Sequence, residues 1–195
     1  MSLKVTFILL TCLLFESLSK DFLIAKATTA LNPKTHQIFI NTKITSTLKK
    51  RLPKIYRSSA GQISKTIISE AARYGLDPLI ITAVIASESN FNPKAIGPVG
   101  EIGLMQLRTS TAKWISRKMK IPWKGEQSLR NPNVNIRIGT AYLSYLRQQF
   151  VGKSGYLYLA AYNMGIGSVN RVLARKVEPK IYSHKVMKNY LALND

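Results

Sequence analysis

The side chain best placed for acid–base chemistry in this sequence is Glu88. It lies near the end of PLIITAVIASESN, residues 78–90. Nearly every position from Leu79 to Ala86 is apolar, so a helix here is greasy on all sides and belongs inside a domain. At helical spacing Glu88 shares a face with Ile81, Val84 and Ile85. A carboxyl on such a face is costly to ionise. Desolvation raises its pKa toward the range a general acid needs near neutral pH. A purely structural reading competes, because a Glu at the end of a buried helix also serves as a cap or a salt-bridge partner. Other acids are scarce: of nine, Glu16, Asp21 and Asp195 lie toward the chain ends. Asp77 reads as an N-cap ahead of Pro78, and Glu70 sits off the main apolar face of its helix. Glu101 and Glu126 fall in loops, and Glu178 is a distant second candidate. That scarcity argues against a device built on two carboxylates, unless a loop acid such as Glu101 swings in.

Helices must position this acid. Residues 61–74 repeat apolar side chains at helical spacing (Ile63, Ile67, Ala71, Tyr74) and stop at Gly75. The Glu88 helix follows. Residues 93–103, rich in Gly and Pro, read as a loop, and 109–118 as a short helix with Ala112 and Ile115 inward. Residues 122–132 read as loop. The longest helix is expected over 133–150, with Val134, Ile138, Ala141, Tyr142, Tyr145 and Leu146 on one face. Shorter helices follow at 156–164, 169–174 and 178–190. The pattern predicts a mostly α domain over 61–195 with at most minor β structure.

The first sixty residues differ in kind. A basic start at 1–4, an apolar run of 11 residues at 5–15 and small residues at Ser17 and Ser19 have the layout of a signal peptide, 1–19. An uncleaved anchor is the alternative. Cys12 falls inside the apolar run, so the mature chain is expected to lack Cys. With His36 and His184 as the only imidazoles, and no carboxylates at ligand spacing, neither a metal site nor a cofactor is expected. Residues 20–60 read as a basic, loosely packed arm. No acid stands between Phe22 and Ser69, and Lys49-Lys50-Arg51 is a charge cluster. Ile38, Ile40 and Ile44 hint at a short strand.

Without residues 1–19 the net charge stays at +20, from 28 basic and 8 acidic side chains. Such a chain associates with polyanions. For an exported protein the natural ones are wall polymers, peptide carboxylates and membrane surfaces. Nucleic acid is not expected: a helix-turn-helix around Gly75 would have to present a nearly all-apolar second helix to a groove.

Three further stretches carry side chains odd for a plain bundle: Gly103-Leu104-Met105-Gln106, Ala161-Tyr162-Asn163 and Tyr182. With Glu88-Ser89 they resemble, in order, the ES, GLMQ, AYN and E-x-x-x-Y elements of the Slt-type lytic transglycosylases, which cleave cell-wall glycan. Asn131-Pro132, Asn135-Ile136, Gly139 and Tyr142-Leu143 match that family's NP…NI…G…YL helix. The resemblance runs from about Ile67 to Val186. Three departures stand out: Glu101-Ile102 where a small residue is common, Leu107-Arg108 where Met-Pro or a similar pair is frequent, and Met164 after AYN.

The resemblance implies a lysozyme-like helical fold and a one-acid mechanism with peptidoglycan glycan strands as substrate. Glu88 would be the catalytic acid and base, closing a 1,6-anhydro ring on N-acetylmuramic acid. Asn163 would hold the acetamido group, and Gln106, Met105 and Tyr162 would belong to the substrate groove. Tyr182 would bond near Glu88, and Ser89 would orient the acid. It also implies a periplasmic or cell-envelope location, with an envelope-spanning secretion or pilus complex as a conceivable partner. The rivals are a goose-type lysozyme, which uses water as acceptor, and a catalytically silent wall-binding protein.

Overall fold

The computed structural model describes residues 33–194, and the chain divides into two compact units, 1–39 and 40–195. The expected export segment at 1–19 lies outside the described residues. The described residues form eight α-helices: α1 (Pro33–Arg51), α2 (Ala60–Tyr74), α3 (Pro78–Ser89), α4 (Thr109–Lys118), α5 (Pro132–Gln149), α6 (Tyr156–Met164), α7 (Ile166–Ala174) and α8 (Ile181–Asn194). Short 3-10 helices occupy Lys54–Ser59 and Glu126–Arg130. Among these residues β pairing is limited to the isolated bridges Ile96–Ile102 and Ile102–Leu107. The expected mostly α architecture holds. None of the described helices is long and apolar enough to cross a membrane.

The capping signals operate as read. Asp77 Oδ1 accepts from Leu79 N at 2.8 Å, Pro78 takes the first helical position, and Asn90 ends α3 in the left-handed region at φ 49°. Asn131 likewise caps α5, accepting from Asn133 N and Val134 N ahead of Pro132. Gly75 closes α2 at φ 60°, and Arg147 of α5 donates to the carbonyls of Tyr74 and Gly75 there. That satisfies acceptors a helix C-terminus otherwise leaves open.

Helix α3 is the central element, buried along almost its whole length and packed on α2 and α8. Helix α5 packs on α2, α4 and α6. Polar bonds fix the α2–α5 register: Arg137 Nε donates to buried Glu70 at 3.2 Å, and Thr66 Oγ1 to Asn133 Oδ1 at 2.9 Å. Glu70, read as lying off the apolar face, is 2% exposed, and the half-exposed Arg137 and exposed Arg73 reach it from the surface to pair with it.

Two expectations are corrected. The segment read as a loose basic arm with a possible strand is helical over Pro33–Arg51. Its Ile44, Leu48 and Leu52 have 0%, 0% and 1% exposure, so from Ile40 onward it belongs to the core of the second unit. The four-residue spacing of these three was the helical signal, and the alternation at Ile38 and Ile40 masked it. The last helix begins at Ile181 rather than 178. Pro179 removes an amide donor, and Glu178 lies on the surface, paired with Lys180.

Candidate active site

A cleft of about 460 Å³ opens where the end of α3, the 97–108 segment, α5, α6 and the first turns of α8 meet. Glu88 lines it, and Tyr182 of α8 donates its hydroxyl to Glu88 Oε1. The Glu88 carboxyl is pushed above its ordinary value, first by burial and in addition by the negative charge of Glu101. The Tyr182 bond and the ammonium of Lys185 pull the other way without cancelling that rise. Tyr182 is itself driven well above the usual phenol range by burial and by the facing carboxylate, so it remains a donor.

The 97–107 segment forms the neighbouring wall, and buried polar bonds shape it. Asn135 of α5 is fully buried and bonded three ways. It accepts from Met105 N at 2.8 Å and donates to Ile102 O at 2.8 Å and Leu129 O at 3.0 Å. Gly103, at φ 82°, lets the chain run close by, since a Cβ there would lie 2.7 Å from Leu129 O. Gly139 does the same on α5, where a Cβ would come within 2.9 Å of Met105 Cβ. Gln106 sits at φ 45°, an unusual conformation for a side-chain-bearing residue. Its amide anchors it, donating to Ala95 O at 3.2 Å and Gly103 O at 2.8 Å.

Of the residues the sequence singled out, Glu88, Gln106, Tyr162, Asn163 and Tyr182 line the cleft together. Ser89 and Met105 do not. Ser89 is buried and donates to Leu104 O at 2.8 Å and Ile85 O at 3.1 Å, so it holds the wall rather than orienting the acid. Met105 has 0% exposure and packs against Gly139, while its carbonyl accepts from Tyr162 Oη at 2.7 Å. One residue of helical rotation separates Glu88 from Ser89, and the turn at Gln106 separates Met105 from the cleft face.

Sequence reasoning did not assign Arg108, Thr111, Tyr142 or Lys185 to the cleft, and had left Glu101 as a loop acid. The Tyr142 ring packs on Tyr162 at 5.4 Å between centroids. Lys185 Nζ donates to Ser87 O at 2.6 Å, and Asn189 Nδ2 to Ser87 Oγ at 2.7 Å, so α8 grips the last turn of α3. At that same end Arg51 donates to Asn90 and stacks 5.2 Å from the centre of the buried Phe91 ring. Among the described residues no group of three or more His, Cys, Asp and Glu side chains could hold a metal.

Residues 65–185 match the family model described as the transglycosylase SLT domain. The chain belongs to this family. Within the SLT family it is 39% identical over 112 residues to membrane-bound lytic murein transglycosylase C of Sodalis glossinidius, an alignment covering 53% of this chain and 31% of that protein. It is 48% identical over 79 residues to endo-type membrane-bound lytic murein transglycosylase A of Klebsiella pneumoniae, covering 38% of each. It thus spans under two fifths of the length of either. Among solved structures, an inactive mutant of lytic transglycosylase Slt from Pseudomonas aeruginosa superposes with a TM-score of 0.60 at 35% identity, covering 67% of this chain and 23% of that one. The 70 kDa soluble lytic transglycosylase of Escherichia coli superposes at 0.59 with 27% identity, covering 84% and 30%. The SLT match includes Glu88, the GLMQ segment, Asn163 and Tyr182.

Proposed function

We propose that this chain is a peptidoglycan lytic transglycosylase in which Glu88 is both acid and base. The observation that carries the reading is one half-buried carboxyl, raised in pKa and bonded by Tyr182, in a cleft whose wall is mostly polar. Protonated Glu88 gives its proton to the glycosidic oxygen as the C1–O bond breaks. The neighbouring 2-acetamido oxygen, held by Asn163, closes on C1. The 6-hydroxyl then attacks C1, the acetamido bond to C1 breaks, and the hydroxyl proton returns to Glu88. The products are an alcohol and a 1,6-anhydro ring, and no water is consumed. A single acid–base group works here with positioning, as expected when the substrate supplies the second nucleophile. Export directed by residues 1–19 to the envelope, where this substrate lies, is part of the proposal.

Glu101 gives the hydrolytic reading a specific basis, since a second carboxylate does line the cleft. Burial pushes it up, but bonds from its own amide, Arg108 and Val99 outweigh that and hold it below the ordinary carboxylate range. A carboxylate stabilised in this way as an anion is a weaker base toward water, which favours the transglycosylase. Mass spectrometry of peptidoglycan digested by the mature protein decides, with Glu88→Gln as control. Anhydromuramic ends absent from the control are expected. Reducing ends, heavier by one water, would overturn the lyase in favour of the hydrolase.

A further inference from the structure

The family match ends at residue 185, but α8 runs on to Asn194, and its second half is tied to α3. Three side chains on one face of α8, Tyr182, Lys185 and Asn189, address three atoms of two adjacent residues. Tyr182 donates to Glu88 Oε1, Lys185 Nζ to Ser87 O at 2.6 Å, and Asn189 Nδ2 to Ser87 Oγ at 2.7 Å. Ser87 is 6% exposed and gives its own hydroxyl proton to Ala83 O at 2.8 Å, so an oxygen lone pair is what it offers Asn189. The Ser87 carbonyl stands in the last turn of α3, where acceptors lack helical partners, and Lys185 supplies one. A slip of one residue along a helix turns it by about 100°, which would carry the Tyr182 hydroxyl off the acid. Near the start of α3, far from the cleft, Tyr190 joins the same two helices by donating to Asp77 Oδ2 at 2.7 Å.

We propose that Asn189 is a positioning residue for Glu88. Its bond to Ser87 fixes the register of α8 in which the Tyr182 hydroxyl meets the carboxyl. Asn189 does not line the cleft and acts through Ser87 and Tyr182. The proposal rests on Glu88 being the acid of the reaction proposed above. The titratable groups facing Glu88 are Tyr182 and Lys185 of α8, Tyr162 of α6, Tyr142 of α5, and Glu101 with its partner Arg108. Tyr182 and Lys185, the two that move with α8, both hold the Glu88 carboxyl down, so loosening α8 raises it.

The test follows the Glu88 carboxyl by carbon NMR in protein labelled at Glu, with Glu88→Gln assigning the signal. Asn189→Ala should move its titration to higher pH. In a Tyr182→Phe background the same substitution should move it much less, because the bond it acts through is already gone. Ser87→Ala deletes the Asn189 bond from the other side and should reproduce the upward move, which keeps the question answerable if Asn189→Ala does not fold. Tyr190→Phe, which cuts an α3–α8 bond away from the cleft, should lower Tm and leave the titration in place. On a soluble glycan substrate Asn189→Ala should lower kcat by about tenfold to a hundredfold with KM held. An unmoved titration, an equal step in both backgrounds, or an equal move in Tyr190→Phe overturns the assignment. Turnover by the unmodified protein is read separately. If it releases no muropeptides the proposed function falls, and the titration still decides what Asn189 does.

Discussion

Glu88 and Ser89 are adjacent in sequence and work in different regions of the molecule. Glu88 faces the cleft and meets a phenol, while Ser89 faces inward and ties α3 to the carbonyl of Leu104. Met105 and Gln106 repeat the division across a sharp turn. The cleft face keeps polar groups partly exposed and with bonding capacity to spare. The inner face spends its capacity on the backbone, as Asn135 does with three bonds to main-chain groups. A motif in this chain is therefore a seam between chemistry and architecture.

That division can be broken on either side. The largest effect is expected from Glu88→Gln, with turnover falling about 10²- to 10⁴-fold or below detection while the melting temperature holds, checked by a muropeptide release assay and a thermal melt. Next comes Asn135→Ala, which touches no substrate but strands the Met105 amide and the Leu129 carbonyl in the interior. A loss of about 3 kcal/mol, roughly 10 °C in Tm, is expected by calorimetry. Ser89→Ala should cost about 1 kcal/mol and leave the pH profile in place. A shifted profile would mean that Ser89 acts on the acid after all.

The smallest effect sharpens the electrostatics. Tyr182, Tyr162, Glu101 and Lys185 act on Glu88 or share its cleft. The acid step needs protonated Glu88, so activity falls as pH rises through its raised pKa. Lys185 lowers that pKa, so Lys185→Met should move the alkaline limb to higher pH. Glu101 raises it, so Glu101→Gln should move the limb to lower pH. Rate profiles on one soluble substrate would show both, and shifts of the same sign would refute the assignment.

Much of this was legible in the chain. Asp77-Pro78 and Asn131-Pro132 announce two helix starts through local chemistry, and the apolar run between Leu79 and Ala86 announces burial. Glu88 was within reach because it ends an apolar run, while Gln106, Tyr162, Asn163 and Tyr182 were within reach through the ordered motifs that resemble the Slt-type family. The inward turn of Ser89 and Met105 was not, since it depends on which partner occupies the far side. Nor was the meeting of Glu101 with Arg108, which a turn through Gly103 brings together across seven positions. Lys185 reaches Ser87 across nearly a hundred residues, and no local pattern encodes that. Helix α1 was misread because the alternation at Ile38 and Ile40, beside a charge cluster, masked the four-residue spacing of Ile44, Leu48 and Leu52.

The bond from the Met105 amide to Asn135 Oδ1 has a consequence for how the molecule breathes. Met105 lies outside any helix, yet its amide hydrogen is sealed by a fully buried acceptor on α5. It can meet deuterated water only when the packing of α5 itself opens, so its exchange follows global unfolding rather than loop fluctuation. The amide of Val99 a few residues earlier is held by a solvent-facing carboxylate and exchanges through local opening. The two clocks run within one short segment, so the cleft wall keeps its shape through fluctuations that free its rim.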